Sequence, residues 1–302
     1  NSNSSIYLLK KDDVWYLPNY EGYPASKKKI NNFLFNLASL KIVDKKTSNP
    51  INHKKLGLVL PVEDASNRFR VFGNNKELLV DFLIGSKSKQ NEELSYIRNL
   101  TSNDTWLFKN DLAFYNTEIN WSEESILRIA RWRVKSIKIE STDKNDKDIF
   151  ISKDKYSDQA YTLNKIPKGY ELISIYSISS YTSLLESLKK TDIKPYTDRF
   201  KLVKKINYQT FDGINISINL FDIEGAIYSH FTILSDTLAR KELPKDDPVI
   251  VGLPKMKSYN DIKKEADKYK DVSKWLYKLN DDVYKEFLKP FSELIKKKEI
   301  KK

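Results

Sequence analysis

Apolar positions between Ser26 and Thr47 recur at helical spacing. Ile30, Phe33, Leu34, Leu37 and Leu40 fall at i, i+3, i+4, i+7 and i+10, while Lys27, Lys28 and Asn31 take the opposite face. This predicts an amphipathic helix, with Pro24 before it and Ser26 as its N-cap. The register returns in Ile178, Tyr181, Leu185 and Leu188. Lys41 and Asp44 after the first helix are matched by Lys189 and Asp192 after the second.

Period-two patterns surround each helix. Ile6 to Leu9 and Val14 to Leu17 predict a β-hairpin turning at KKDD. After the helix, Ile42 and Val43 predict a strand. Thr47-Ser48-Asn49-Pro50 predicts a turn, and Asn52 to Leu58 a helical turn closed by Gly57. Strands follow at Arg68 to Phe72, Leu78 to Ile84 (ended by Gly85), Tyr96 to Leu100 and Thr105 to Phe108. Further on, Ser136 to Glu140 and Asp148 to Ser152 predict a hairpin, and Tyr161-Thr162-Leu163 matches Trp15-Tyr16-Leu17. Asn207 to Phe211, the turn Asp212-Gly213, Ile214 to Phe221 and Ala226 to Leu234 predict a meander. The expected fold class is α+β: two tandem copies of a hairpin–helix–antiparallel meander unit, followed by a C-terminal helical segment. The boundaries read as 1–120 for the first repeat, 121–133 for a connecting helix (Trp121 to Trp132, apolar at Ile126, Ile129 and Ala130), and 134–234 for the second repeat. Residues 235–257 read as a linker loop. Residues 258–302 read as helical, with stripes at Ile262, Ala266, Tyr269, Val272 and Leu276, then Val283, Phe287 and Leu294, split by Pro290.

Composition supports a globular chain. Of its 302 residues 40% are hydrophobic, and 14 Phe, 18 Tyr and 5 Trp supply core volume. The net charge of +12 suggests polyanion binding. Two features argue against it. Only 8 of the 53 cations are arginine, and the lysines alternate with acids, as in KKDD and DIKKEADKYKD. No nucleic-acid partner is expected. The absence of cysteine excludes disulfides and thiolate chemistry. No segment is long enough to span a membrane, and the polar opening NSNSS is not a signal peptide. The first residue is not Met, which suggests a trimmed domain.

The segment VWYLPNYEGYPASKKKINNFLFNLASLKIVDKKTSNPINHKKLGL resembles the opening of the bacterial domain-of-unknown-function 4340 family. There a W-Y/L strand leads to a helix, a T-x-N/x-P turn and a Leu-Gly-Leu step. The resemblance continues through the meander and closes in DVSKWLYKLNDDVYKEFLKPFSELI. It implies attachment through an N-terminal membrane anchor missing from this chain. It also implies a place on the extracytoplasmic face of the bacterial inner membrane, and protein partners in an ABC-type transport complex related to gliding-motility exporters. It implies no biochemical activity.

Candidate chemistry is sparse. The eight glycines all lie more than ten residues apart, which excludes GxGxxG and P-loop cradles. His53 and His230 are far apart, so no two-His metal motif exists; each is a candidate lone general base, and each reads instead as a solvent-facing or hydrogen-bonded structural histidine. The acid pairs Asp222/Glu224, Glu123/Glu124, Asp246/Asp247 and Asp281/Asp282 fit turns, caps and helix first turns. No catalytic residue, cofactor site or metal site is expected. One cluster departs from the chain's habit: Arg128, Arg131 and Arg133 bracket Trp132. They are candidates for an anion or acidic-partner contact, but the favoured reading is helix C-terminal charges with their stems over apolar surface. The expected function is a non-enzymatic scaffold or binding module. The alternatives are a hydrolase using paired carboxylates and a binder of anionic polymers.

Overall fold

The computed structural model of the chain describes residues 5–60, 67–236 and 252–299. It is a mixed α/β structure of mostly antiparallel sheets with few helices. The chain divides into two compact units, Asn1–Ser122 and Glu123–Lys302.

In the first unit, β1 (Leu9–Lys11) and β2 (Val14–Leu17) form the hairpin. Its two turn residues, Asp12 and Asp13, both take positive φ (48° and 60°), as a tight primed turn requires. A short β3 (Tyr23–Pro24) pairs with β2. Then comes α1 (Lys27–Ala38), where the Ser26 hydroxyl accepts a hydrogen bond from the Lys29 amide. The helix buries Ile30 and Phe33, with Leu37 and Leu40 half-buried beside them, whereas Leu34 stays exposed at the margin of the apolar stripe. A five-stranded antiparallel sheet follows: β4 (Ile42–Thr47), β5 (Asn67–Phe72), β6 (Leu78–Lys87), β7 (Leu94–Asn99) and β8 (Thr105–Lys109), in the order β4-β8-β7-β6-β5. The core is aromatic. Phe33 stacks on Phe69 and meets Trp121 edge-on, both at 5.3 Å between ring centres, and Phe69 stacks on Phe82.

Gly57 closes its turn in the left-handed region (φ 68°), as its position predicts. Gly85 does not end a strand. It lies inside β6, where the pairing with β7 shifts between Ile84 and Lys87. A Cβ on Gly85 would stand 2.0 Å from the Leu56 carbonyl oxygen, a backbone atom. Gly85→Ala must therefore displace backbone. The expected loss is about 1–3 kcal/mol, the range for overpacking, seen as a lower urea midpoint. An unchanged midpoint would mean that the Leu56 turn gives way freely.

The second unit opens with β9 (Ser125–Leu127) and a nine-stranded sheet built from it with β10 (Val134–Ser141), β11 (Ile149–Ser152), β12 (Thr162–Leu163), β14 (Leu188–Pro195), β15 (Lys201–Thr210), β16 (Ile214–Ile223), β17 (Ala226–Ser235) and β18 (Trp275–Leu279). The order is β12-β11-β10-β15-β16-β17-β18-β14-β9. A separate pair joins β13 (Tyr170–Leu172) to β19 (Ile295–Lys297). The helix α2 (Tyr176–Ser183) tightens into a 3-10 turn at Leu184–Ser187. Ile178, Tyr181, Leu185 and Leu188 are all fully buried, although Leu188 already belongs to β14. Two short helices follow, α3 (Tyr259–Lys268) and α4 (Asp281–Leu288).

Two larger expectations are also corrected. Residues 121–133 do not form a connecting helix. A 3-10 turn at Glu118–Trp121 is followed by β9 and by a second 3-10 turn at Arg131–Arg133. Ile126, Leu127 and Ile129 are all buried because β9 pairs with β14 and the Ile129 amide donates to the Leu185 carbonyl. A partner sixty residues away outweighs the local three-residue spacing. Residues 258–302 are likewise not continuously helical. Trp275 to Leu279 enters the large sheet between β17 and β14, and Leu276, expected on a helix stripe, is a sheet residue. Of the expected linker 235–257, residues 237–251 lie outside the described residues, as does the pair Asp246/Asp247.

Candidate functional site

The site is assembled in the second unit around the 3-10 turn Arg131–Arg133, which leads directly into β10. Successive side chains of such a turn point about a third of a circle apart. Arg133 turns inward, and Arg131 and Trp132 are left outside. Trp132 is 36% exposed. The turn is pinned from within: the Tyr161 hydroxyl lies 2.8 Å from the carbonyl oxygens of both Arg131 and Val134, and the Phe211 amide donates to the Arg133 carbonyl.

The Arg133 guanidinium is buried and clamped by two carboxylates. Nε and Nη2 donate to Asp212, at 2.8 and 3.3 Å, and Nη1 and Nη2 donate to Glu265, both at 2.9 Å. Asp212 belongs to the tight turn between β15 and β16 and also accepts from the Thr210 hydroxyl at 2.6 Å. Glu265 projects from α3 and further pairs with Lys257 at 2.9 Å. Burial opposes the charge on Arg133, but the hydrogen bonds and charges of Glu265 and Asp212 more than offset it and raise its pKa. Burial similarly works to raise Glu265, and Arg133 with Lys257 holds it below the usual carboxylate value.

Beside this clamp is a pocket of about 370 Å³, with Arg128, Ala130, Trp132, Tyr156, Glu186, Pro254, Lys255 and Lys257 on its walls. Two further interactions set its shape. The Tyr156 hydroxyl donates to the Pro254 carbonyl at 2.8 Å. The buried Lys153 ammonium donates to the carbonyls of Tyr156 and Asp158 and sits over the rings of Tyr156, Tyr161 and Phe211 at 5.4–5.8 Å. Arg128 is exposed, and its backbone amide donates to the Tyr269 hydroxyl at 3.3 Å. The Arg131 amide donates to Glu186 Oε1 at 3.0 Å. Among the described residues no carboxylate stands within ion-pair distance of the Arg128, Arg131 or Lys255 side chains.

The four residues singled out in the sequence thus separate. Arg128, Arg131 and Trp132 face solvent, and Arg133 is internal. Asp212, Glu265, Tyr156 and Lys153 are not among the sequence candidates. Asp212 carries only a turn signal, and Glu265 looks like any exposed helix acid. The other acid pairs do local work. Asp222 accepts from the Gly225 amide, and Asp281 and Asp282 occupy the first turn of α4. Glu123 and Glu124 are exposed beside β9, not in a helix. Among the described residues no three His, Asp or Glu side chains converge in a metal-holding group.

Both histidines are buried. His53 Nε2 lies 2.9 Å from the Asn103 carbonyl, and the Arg98 guanidinium donates to Nδ1. His230, on β17, donates from Nε2 to the Ser273 carbonyl at 2.8 Å and stacks on Tyr196 at 3.7 Å between ring centres. Its Nδ1 has no hydrogen-bond partner among the described residues. A proton there would be buried without an acceptor. Desolvation accordingly lowers the His230 pKa below 6.5, against the opposing Ser273 hydrogen bond. The unfolded chain then takes up this proton first as pH falls. Stability should decline on acidification from about pH 6.5, and His230→Gln should remove that part of the slope. Identical pH–stability curves for both proteins between pH 7 and 5 would rule out this role.

Fold and site together define an α+β protein of antiparallel sheets with a mixed-charge pocket beside a buried arginine clamp. The chain belongs to the family described as Domain of unknown function (DUF4340), whose model matches residues 15–205, more than half of its length. No curated protein and no solved structure matches the chain. Among the described residues no helix is long and apolar enough to cross a membrane.

Proposed function

We propose that the chain is a non-enzymatic binding or scaffold module on the extracytoplasmic face of a bacterial inner membrane, anchored in its full-length form and working with an ABC-type transport system. Its placement at the membrane and beside a transporter follows from the family resemblance. One observation carries the binding role: exposed Trp132, flanked by exposed Arg128 and Arg131, at the rim of a pocket whose inner carboxylates are engaged by Arg133 and Lys257. Protein interfaces enrich Trp and Arg and deplete Lys, and this chain otherwise uses Lys. Asp212 and Glu265 hold Arg133 between them, an arrangement for structure and not for acid–base turnover. The test is recovery of partners from native membranes with the wild-type protein and an Arg128→Ala/Arg131→Ala variant of intact fold. Loss of a partner with the variant is expected, and unchanged recovery of every partner overturns the reading. Duplex DNA and heparin should bind weakly and be released at physiological salt, because scattered lysines free few counterions at any one place. A tight complex surviving that salt would favour the polyanion reading.

The chain also reads as two copies of a hairpin–helix–meander unit. Strand order supports this. The strand after the helix pairs with the last of four antiparallel strands in each unit, giving β4-β8-β7-β6-β5 and β14-β18-β17-β16-β15, although β18 follows α3 and lies beyond the expected end of the second repeat at 234. Besides a second irregularity in β4 between Lys45 and Thr47, one irregularity in that pairing falls between Ile42 and Asp44 in one unit and between Lys190 and Asp192 in the other. These are equivalent positions in the shared helix register, and bulges tend to persist within a family. Cross-strand amide contacts by NMR test it, and the absence of either the β4–β8 or the β14–β18 pairing removes the repeat.

A further inference from the structure

We infer that the Trp132 pocket takes an acidic peptide segment of a partner protein, in which an Asp or Glu lies next to an aromatic or aliphatic side chain. This deepens the binding reading above and rests on it.

The argument is one of charge and surface left over. Inside the pocket, Asp212 and Glu265 are matched by Arg133 and Lys257. Arg128 and Lys255 on the walls, and Arg131 outside, remain exposed with no carboxylate in ion-pair reach among the described residues. Among the described lining residues, Glu186 is the one acid left to oppose them, and it already accepts from the Arg131 amide. The local surplus is positive, so an incoming carboxylate is favoured, and an arginine fork meets it with two donors. The same walls carry Trp132, Ala130, Pro254 and Tyr156. Sulfate and phosphodiester groups leave most of this apolar ground uncovered, whereas an apolar side chain next to the carboxylate buries it. The pocket is also held in shape before a ligand arrives, by the Tyr156–Pro254 hydrogen bond and by Lys153 beneath Tyr156. Preorganisation lowers the ordering cost of binding a flexible segment.

The experiment is selection of random linear peptides displayed on phage against the folded protein, with heparin as a competitor. Selected peptides should carry Asp or Glu beside an apolar residue. As free peptides they should bind about tenfold or more weakly to Trp132→Ala and to Arg128→Ala/Lys255→Ala, the scale of a hot-spot residue. Replacing their acids by Asn or Gln should abolish binding, and raising salt should weaken it. Four outcomes overturn the inference: no enrichment, enrichment without acids, equal binding to the variants, or displacement by heparin with the same affinity and the same residue dependence. If peptide selection fails while partner recovery from membranes still depends on Arg128 and Arg131, only the ligand class falls and the binding role stands.

Discussion

Arg133→Ala is expected to cost roughly 3–5 kcal/mol of folding stability at neutral pH, the range for stranding a buried ionic partner. The substitution removes one side chain but leaves two carboxylates, Asp212 and Glu265, facing each other in a largely buried site. The pH dependence distinguishes this from a simple packing loss. In the wild type, Arg133 and Lys257 outweigh burial and hold Glu265 below 4.5. That contribution is fully present above the unfolded carboxylate value and is lost as pH falls through the folded one. In the variant, burial acts on Glu265 with less opposition, so protonation becomes stabilising. The gap between wild type and variant should therefore narrow toward acid. Adding Asp212→Asn and Glu265→Gln to Arg133→Met should recover most of the stability, because neutral groups of similar shape carry no stranded charge. Chemical denaturation at several pH values measures all of this. A loss below about 1 kcal/mol, or one constant with pH, would mean that water reaches the clamp freely.

Leu185→Ala should destabilise by about 2–5 kcal/mol and Phe33→Ala by about 3–5 kcal/mol, the ranges for deleting buried aliphatic and aromatic side chains. Leu185 is completely buried where α2 tightens into its 3-10 turn, and Phe33 sits between Phe69 and Trp121 in the aromatic core. Leu37 shares the helical register of Leu185 but is only half-buried, so Leu37→Ala should cost clearly less. Equal melting points for wild type and both large variants would show that the buried faces are misassigned. A Leu37→Ala cost as large as that of Leu185→Ala would show that the two units bury their helices equally.

Local chemistry accounts for what could be read from the residues. The Ser26 cap, the apolar stripe of α1, the Asp12-Asp13 turn, the left-handed Gly57 and the Asp212-Gly213 hairpin each depend on a few neighbouring residues, and each stands where its residues predict. The segments 121–133 and 275–279 were not legible in this way. Ile126, Ile129 and Ala130, like Tyr269, Val272 and Leu276, satisfy helical spacing over a short run, and short runs do not separate a helix from a strand. Their conformation is decided by β14 and β17, elements distant in sequence.

The site divides the same way. From the residues alone, three arginines around one tryptophan stand out in a chain that otherwise favours lysine, and their type fits either contact with anionic groups or helix C-terminal charges. Which arginine stays inside was settled only by tertiary structure. Arg133 meets carboxylates 79 and 132 positions away, and one turn of 3-10 backbone then leaves Arg131 and Trp132 outside. The sequence by itself determined the coarse α+β class, the turns at Asp12-Asp13, Gly57 and Asp212-Gly213, the cap and buried stripe of α1 and the absence of nucleotide-cradle glycines, because these depend on backbone preference and periodicity within a few residues. Tertiary structure decided the strand order, the fate of the two misread segments and the pairing of Arg133, because these depend on which distant groups share a low-dielectric interior, where an unpaired charge is too costly to keep.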